Sequence, residues 1–251
     1  MTFNIECSKT LFNLMESLSY QIRRTRRASR TRIVVTSEKI EVIAPLHVSD
    51  ALLHQFVKDK WPWITKAMEK IKARTAHIRS LAPITYHHGA VIPYQGKTYP
   101  LSLAPTKLKR IKIEYSDIFN AHIPHTQWDT VSSEEIRSAI IRWMKSNIKL
   151  TVEQMVEQHG SKHQLYPKSI TIKSQKSRWG SCGIHDDITI NWLLALAPLD
   201  ILEYVVVHEL CHIKEKNHSK HFWALVAQHL PTYRNARLWL KQNGQALMLG
   251  L

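Results

Sequence analysis

Residues 207–219 read VHELCHIKEKNHS and place two histidines, His208 and His212, four residues apart, with Glu209 directly after the first. On an α-helix this spacing puts both imidazoles on one face, as a tetrahedral zinc site requires. The carboxylate of Glu209 would then reach a metal-bound water without binding the metal itself. The stretch therefore predicts a helix that carries two metal ligands and a general base.

The sequence before this motif is typical of a buried helix. Pro198 suits a first-turn position, and Asp200 and Glu203 lie near the positive end of the helix. Apolar residues fill most other positions: Ile201, Leu202, Tyr204, Val205, Val206, Leu210 and Ile213. A metal helix should be apolar around its polar ligands. The alternative is a core helix whose histidines only form hydrogen bonds.

A catalytic zinc needs a third protein ligand, and the chain offers few candidates downstream. No Asp or Glu follows Glu215, so the downstream candidates are His218, His221 and His229. His218 has the offset from His208 that is found in metal proteases with the pattern H-E-x-x-H-x-x-G-x-x-H. This offset favours His218 as the third ligand.

Glu215 occupies the position at which that pattern has glycine. The turn after the second ligand must therefore be made differently, and we expect Asn217, which tolerates a left-handed backbone, to make it. Glu215 also lies on the same helical face as His208 and is a further possible ligand. Its alternative role is an ion pair at the surface.

The residues after this loop predict a second helix. Ser219–Val226 has the pattern of a capped amphipathic helix that ends before Pro231. His218 would lie just outside this helix and point back at the metal, whereas His221 and His229 are expected to be ordinary helix residues.

Two segments with alternating polarity upstream predict strands, Ser169–Ser174 and Asp187–Trp192. The glycine-punctuated turn between them carries Arg178, a candidate to bind an anionic substrate group or to stabilise an oxyanion. A structural ion pair is its alternative role. Tyr233 is a second candidate oxyanion donor, with ring packing as the alternative.

Several of these segments also carry a family resemblance. The motifs are SRWGSC at 177–182, NW at 191–192, YVVVHELCH at 204–212, NHS at 217–219 and FW at 222–223. Joined in this order, they resemble the YgjP-like metallopeptidase family of metal-dependent hydrolases, which is related to the SprT-like and wider zincin proteins. The resemblance covers most of the chain, although residues 74–130 match only in patches.

The resemblance implies a zincin-like domain. In such a domain one Zn²⁺ ion would be bound by His208, His212 and His218, and Glu209 would be the catalytic carboxylate.

The order of the predicted elements indicates an α+β fold in two parts. Residues 1–103 are predicted to be a small β-rich α+β region. It would contain a hairpin of Arg32–Val35 with Ile40–Ala44, helical segments interrupted at Pro62, and a second hairpin around Tyr94–Tyr99.

Residues 104–251 are predicted to be the zincin-like metallopeptidase domain, in which the metal helix lies against a small sheet. A strand is expected over Lys107–Tyr115. A long helix should open with a capping box formed by Ser132 and Glu135 and stop at Gly160.

The formal net charge of +15 is high for an ordinary cytoplasmic enzyme. Six arginines crowd into one short segment: Arg23, Arg24, Arg26, Arg27, Arg30 and Arg32. Such a cluster is a candidate site for nucleic acid, nucleotide phosphate or another polyanion. The alternative is a solvated face of the first strands.

Three cysteines without a C-x-x-C pair are typical of a reducing compartment. No amino-terminal signal and no membrane-spanning apolar run is seen, so we expect a cytoplasmic protein without a membrane partner. Nothing in the sequence indicates the oligomeric state.

Three functions follow from these features. In the first, a metal-bound water activated by Glu209 attacks a peptide bond of a peptide or protein substrate. In the second, the same site hydrolyses a phosphoanhydride of a nucleotide, and arginines neutralise the phosphate charge. In the third, the protein associates with nucleic acid and its metalloprotease domain acts on bound proteins.

Overall fold

The computed structural model describes residues 19–36, 39–76 and 80–251. Contacts divide the chain into two compact units, residues 1–78 and 79–251. Helices and small sheets occur in both, so the predicted α+β class is confirmed.

The first unit contains a three-stranded sheet and one helix. Its elements are β1 (Tyr20–Arg24), β2 (Arg32–Val35), β3 (Ile40–Ala44) and α1 (Asp50–Ala76). The central strand β3 pairs with β2 in the antiparallel sense, which confirms the predicted hairpin, and with β1 in the parallel sense. One face of the sheet packs on α1 and forms a separate small core.

The helix α1 continues through Pro62, so the predicted interruption there is wrong. Proline removes one backbone donor and costs about 3 kcal/mol in a helix interior. Trp61 and Ile64, on either side of the proline, are buried with Leu53 and Val57 against the sheet. Burial of four large side chains outweighs the local cost.

The second unit contains two further sheets and four helices in the residues that the structure describes. Its strands are β4 (Val91–Tyr94), β5 (Lys97–Thr106), β6 (Lys112–Tyr115), β7 (Phe119–Pro124), β8 (Ser169–Lys173), β9 (Gly180–Cys182) and β10 (Asp187–Asn191). Its helices are α2 (Ser133–His163), α3 (Leu199–Lys214), α4 (Lys220–His229) and α5 (Tyr233–Leu249). The sheet orders are β4-β5-β7-β6 and β8-β10-β9.

The hairpin of β4 and β5 belongs to the second unit, whereas the sequence placed residues 79–103 with the first. Its turn residues Gln95 and Gly96 are both left-handed, as a two-residue hairpin turn requires. Their N–H groups donate to the carbonyls of Ala195 and Leu196, at 2.8 and 3.0 Å. The predicted boundary also falls inside β5, which pairs with both β4 and β7.

Two predicted elements differ in length from those observed. The strand expected over Lys107–Tyr115 is formed only by Lys112–Tyr115. The predicted capping box of Ser132 and Glu135 opens α2, but the helix runs past Gly160 and ends when Gln164 turns left-handed. One glycine costs a long helix only about 1 kcal/mol, which packing easily offsets.

The helix α3 lies at the centre of the second unit. It packs on α2, and Nε2 of His159 in α2 lies 2.7 Å from Oε1 of Glu203 in α3. The sheet strands β9 and β10 and the helices α4 and α5 also contact α3. These contacts confirm the predicted arrangement of the motif helix against a small sheet. No helix in the described ranges combines the length and apolar character needed to cross a membrane.

Candidate metal and active site

The three histidines that the sequence singled out converge in the structure. His208 and His212 lie on α3, and His218 lies in the loop before α4. Nε2 of His218 lies 3.0 Å from Nε2 of His208 and 3.2 Å from Nε2 of His212. Their ligand atoms all lie within 4.8 Å of one another. His221 and His229 are not part of this group.

This geometry fits a zinc ion. Zinc–nitrogen bonds of 2.0–2.1 Å in tetrahedral coordination separate neighbouring nitrogens by about 3.3 Å. Burial, followed by the nearby His212 and His218, lowers the pKa of His208 to about 3, so its imidazole is neutral and keeps a lone pair. Nδ1 of His212 lies 2.9 Å from the carbonyl oxygen of Glu215. A proton on Nδ1 leaves Nε2 free to bind metal.

The loop after α3 positions His218 without the expected left-handed turn at Asn217. Among the described residues, left-handed non-glycine backbone occurs at Gln95, Asp117, Gln164 and Asp186, so the prediction for Asn217 is wrong. The helix ends instead because Glu215 adopts extended backbone (φ −119°, ψ 95°). Nζ of Lys216 then pairs with Oδ1 of Asp186 at 2.5 Å and ties the loop to the hairpin of β9 and β10.

An aromatic layer supports the three imidazoles. The fully buried ring of Phe222 stacks on His212 (4.5 Å, 27°) and meets His208 and His218 edge-on. Trp223 stacks on His218 (5.7 Å, 26°). The predicted cap at Ser219 accepts from the N–H of Phe222 and begins α4 here. The layer therefore limits rotation of the histidine rings.

Tyr233, a candidate oxyanion donor from the sequence, is buried and stacks on Trp223 (5.4 Å, 17°). It does not line the cavity that adjoins His208 and Glu209. Its observed contacts are those of the alternative role, ring packing.

Glu209 is buried beside the strand β9, with 5% of its surface exposed. Burial raises the pKa of Glu209 to about 8, and the backbone N–H of Cys182 and the charge of Arg178 oppose that rise. A Cβ atom on Gly180 would lie 2.6 Å from Oε1 of Glu209. Gly180 is therefore required for the observed position of the carboxylate, a role that the sequence did not reveal.

We expect Gly180→Ala to lower the turnover number by about 100-fold, because a misplacement of about 1 Å can have an effect of that size. The metal content should stay unchanged, since the methyl group meets the carboxylate and not the imidazoles. The matched control is Gly183→Ala, whose Cβ would have its nearest neighbour at an ordinary 3.6 Å. Equal turnover in the two variants, measured with metal content, would contradict this role.

A cavity of about 340 Å³ adjoins His208 and Glu209. Its lining comes from the loop before β9, from β9 itself, from α3 and from α5: Arg178, Trp179, Gly180, Tyr204, Val205, His208, Glu209, Arg237 and Leu240. Arg178 was a candidate from the sequence. Tyr204 and Arg237 were not, although Tyr204 lies one helical turn before His208 and could have been found by that spacing.

A neighbouring side chain holds each arginine of this cavity: Asn191 for Arg178 and Trp223 for Arg237. Asn191 donates from Nδ2 to the carbonyls of Gln175 and Arg178, at 2.8 and 2.9 Å, and so holds the loop that carries Arg178. The guanidinium of Arg237 lies 4.8 Å from the ring centroid of Trp223. Neither Arg178 nor Arg237 has an ion pair with any acidic residue that the structure describes.

One family of known proteins matches most of the chain, and one curated protein matches a short segment of it. The family described as YgjP-like, metallopeptidase domain, matches residues 29–243. The UTP pyrophosphatase of Escherichia coli (strain K12) is 40% identical over 60 residues, which span 22% of this chain and 36% of that protein. The matched segment is thus little more than a third of the curated relative.

The chain is also similar to a solved structure, the crystal structure of the metallopeptidase zymogen of Pyrococcus abyssi abylysin. The TM-score is 0.35 at 20% identity, and the match covers 38% of this chain and 95% of that chain.

Proposed function

Because the chain belongs to the YgjP-like metallopeptidase family, we propose that this metal-dependent hydrolase is a zinc peptidase that binds one Zn²⁺ ion through His208, His212 and His218. The observation that carries the proposal is the convergence of three Nε2 atoms, one of them on His208, which lines the same cavity as the buried Glu209. Three imidazole ligands would leave one tetrahedral position for water or substrate, as catalytic zinc sites do.

The residues of the cavity can perform the acid and base steps of peptide hydrolysis. A bound zinc ion would lower the pKa of a coordinated water and polarise the carbonyl of the scissile bond. Glu209 accepts the proton of the attacking water and returns it to the leaving amine. Its pKa, raised by burial, suits a group that both takes and gives a proton near neutral pH. The amide of Cys182 orients the carboxylate throughout.

A peptide pool tests this function directly. The metal-loaded protein and the same protein stripped by a chelator are incubated with a proteome-derived peptide library, and new termini are identified by mass spectrometry. New termini that require the metal, and that return when zinc is added back, are expected. Their absence, together with metal-dependent release of pyrophosphate from UTP, would contradict the peptidase proposal.

Phosphoanhydride hydrolysis is a second candidate, and the two arginines in the cavity favour it. Arg178 and Arg237 give the site more positive charge than Glu209 can neutralise, and guanidinium groups bind phosphate through paired hydrogen bonds. The similarity of a 60-residue segment to a UTP pyrophosphatase points the same way. In this reaction Glu209 would activate the attacking water, and the arginines would hold the phosphates.

Arg237→Ala separates the two candidates. If the substrate is a nucleoside triphosphate, we expect kcat/KM to fall by about 10- to 100-fold, because a hydrogen bond to a charged group is worth about 1.5–3 kcal/mol. Arg234→Ala is the matched control, since Arg234 is exposed on the same helix but does not line the cavity. A kcat/KM for UTP that is equal in both variants would remove Arg237 from phosphate binding.

A further inference from the structure

The six arginines of the amino-terminal segment form two groups in the structure. Arg23 pairs with Glu41 at 3.2 Å, and Arg24 pairs with Asp50 at 2.6 Å and donates to the carbonyl of Val48. The other four have no acidic partner among the residues that the structure describes: Arg26, Arg27, Arg30 and Arg32. Their charge is available to an external anion.

Three of these unpaired arginines line one cavity with Arg23. The cavity has a volume of about 680 Å³, and its other lining residues are Thr25, Ala28, Ser29, Thr31 and Ile43. Arg23, Ile43 and Arg32 are neighbours across β1, β3 and β2 in the strand register. Because side chains alternate along a strand, this row lies on the sheet face opposite α1. Arg26 is exposed on the same loop but does not line the cavity.

A second hollow lies beside the edge strand β2, on the sheet face opposite the arginine cavity. It has a volume of about 290 Å³ and is lined by Ile33, Phe56, Lys60 and Trp63. Ile33 directly follows Arg32 on β2, which is an edge strand of the sheet. The indole of Trp63 is 53% exposed, which is unusual for so large an apolar ring. An arginine cavity and an exposed aromatic hollow therefore flank one strand.

We propose that this edge of the sheet in the first unit binds single-stranded nucleic acid that crosses β2, with phosphates in the arginine cavity on one face and a base on Trp63 on the other. Single-strand sites combine a basic groove for the backbone with aromatic rings on which bases stack. The described residues of this unit carry thirteen Lys and Arg but only four Asp and Glu, so the surrounding field also attracts a polyanion. Binding at this edge of the sheet does not depend on which bond the second unit hydrolyses.

The salt dependence of binding tests the arginine cavity. A fluorescein-labelled single-stranded oligonucleotide of about 12 nucleotides is titrated with the full-length protein by anisotropy at several salt concentrations. For single strands, each lost phosphate contact should reduce the slope of log K against log salt by about 0.7. We expect that reduction in Arg30→Ala and no change in Arg26→Ala. Equal slopes in these two variants would overturn the cavity as the binding site.

The aromatic hollow needs its own variant. We expect Trp63→Ala to weaken binding of the oligonucleotide by about five-fold or more, because one stacked base is worth about 1–3 kcal/mol. The matched control is Leu52→Ala, an exposed apolar residue on the same helix, which should leave the affinity unchanged. Inorganic tripolyphosphate serves as the competing probe. Two results together would overturn the proposal: an unchanged affinity of Trp63→Ala for the oligonucleotide, and complete displacement of the oligonucleotide by tripolyphosphate at equal phosphate concentration. They would show a site that binds phosphate but no base.

Discussion

The Glu209→Gln variant is expected to keep its metal and to lose about 10²–10⁴-fold in turnover, the usual contribution of a general acid and base. Glutamine has nearly the same shape as glutamate, so it fits beside Gly180 and can accept from the amide of Cys182. Its amide cannot take a proton from water at neutral pH. The measurement is the turnover number of the wild-type protein and of the variant on a substrate that the wild-type protein cleaves, together with the zinc content of both proteins.

Glu215→Gln is the matched control for this prediction. Glu215 was a possible ligand from its place on the face of His208, but its carboxylate is not part of the group formed by the three histidines. Its backbone carbonyl, which Nδ1 of His212 contacts, is unchanged by the substitution. The control should therefore keep both metal and activity. A Glu209→Gln variant with turnover like that of Glu215→Gln would show that Glu209 is not the base.

The features that the sequence predicted well depend on residues that are close in the chain. The spacing of His208 and His212 defines one face of a helix, whatever packs around it. The caps at Ser132 and Ser219 likewise depend on hydrogen bonds to backbone atoms three residues away. Such local patterns placed the helix of His208 and His212, the helix after it and the position of His218 between them.

The parts that the sequence did not predict depend on contacts between distant segments. Gly180 looked like a turn glycine, because nothing local shows that its missing side chain makes room for Glu209. Arg237 lies on a helix whose packing beside α3 has no signature in the sequence. The sequence predicts a break at Pro62 because the local cost of proline in a helix is known, whereas the burial that offsets this cost comes from packing on the sheet.

The arginine segment also depends on contacts with residues that are distant in the chain. Counting charges gave one cluster of six residues, but only the folded sheet separates Arg23 and Arg24, which have acidic partners, from Arg27, Arg30 and Arg32. The partners lie on other elements: Glu41 lies on β3, whose register with β1 brings it within reach of Arg23, and Asp50 is the first residue of α1. A pattern of charge alone therefore indicates an anion-binding region but not its residues.

The His218→Ala variant is expected to bind zinc at least about 100-fold more weakly than the wild-type protein. Mutating a residue that only supports a ligand typically lowers metal affinity by 10- to 100-fold, and His218 would be a ligand itself. The remaining pair on α3 would leave two positions to water, and Trp223 would lose one of its stacked neighbours. Competition with a chromophoric chelator measures the affinity.

His221→Ala is the control for this variant. His221 is exposed, lies three residues after His218, and is not part of the group formed by the three histidines. A ligand that binds only the folded state raises the melting temperature. Zinc should therefore stabilise the wild-type protein and His221→Ala to the same extent, and His218→Ala much less at the same concentration. If His218→Ala instead keeps the affinity and the full stabilisation, the ion is not bound where the three imidazoles converge.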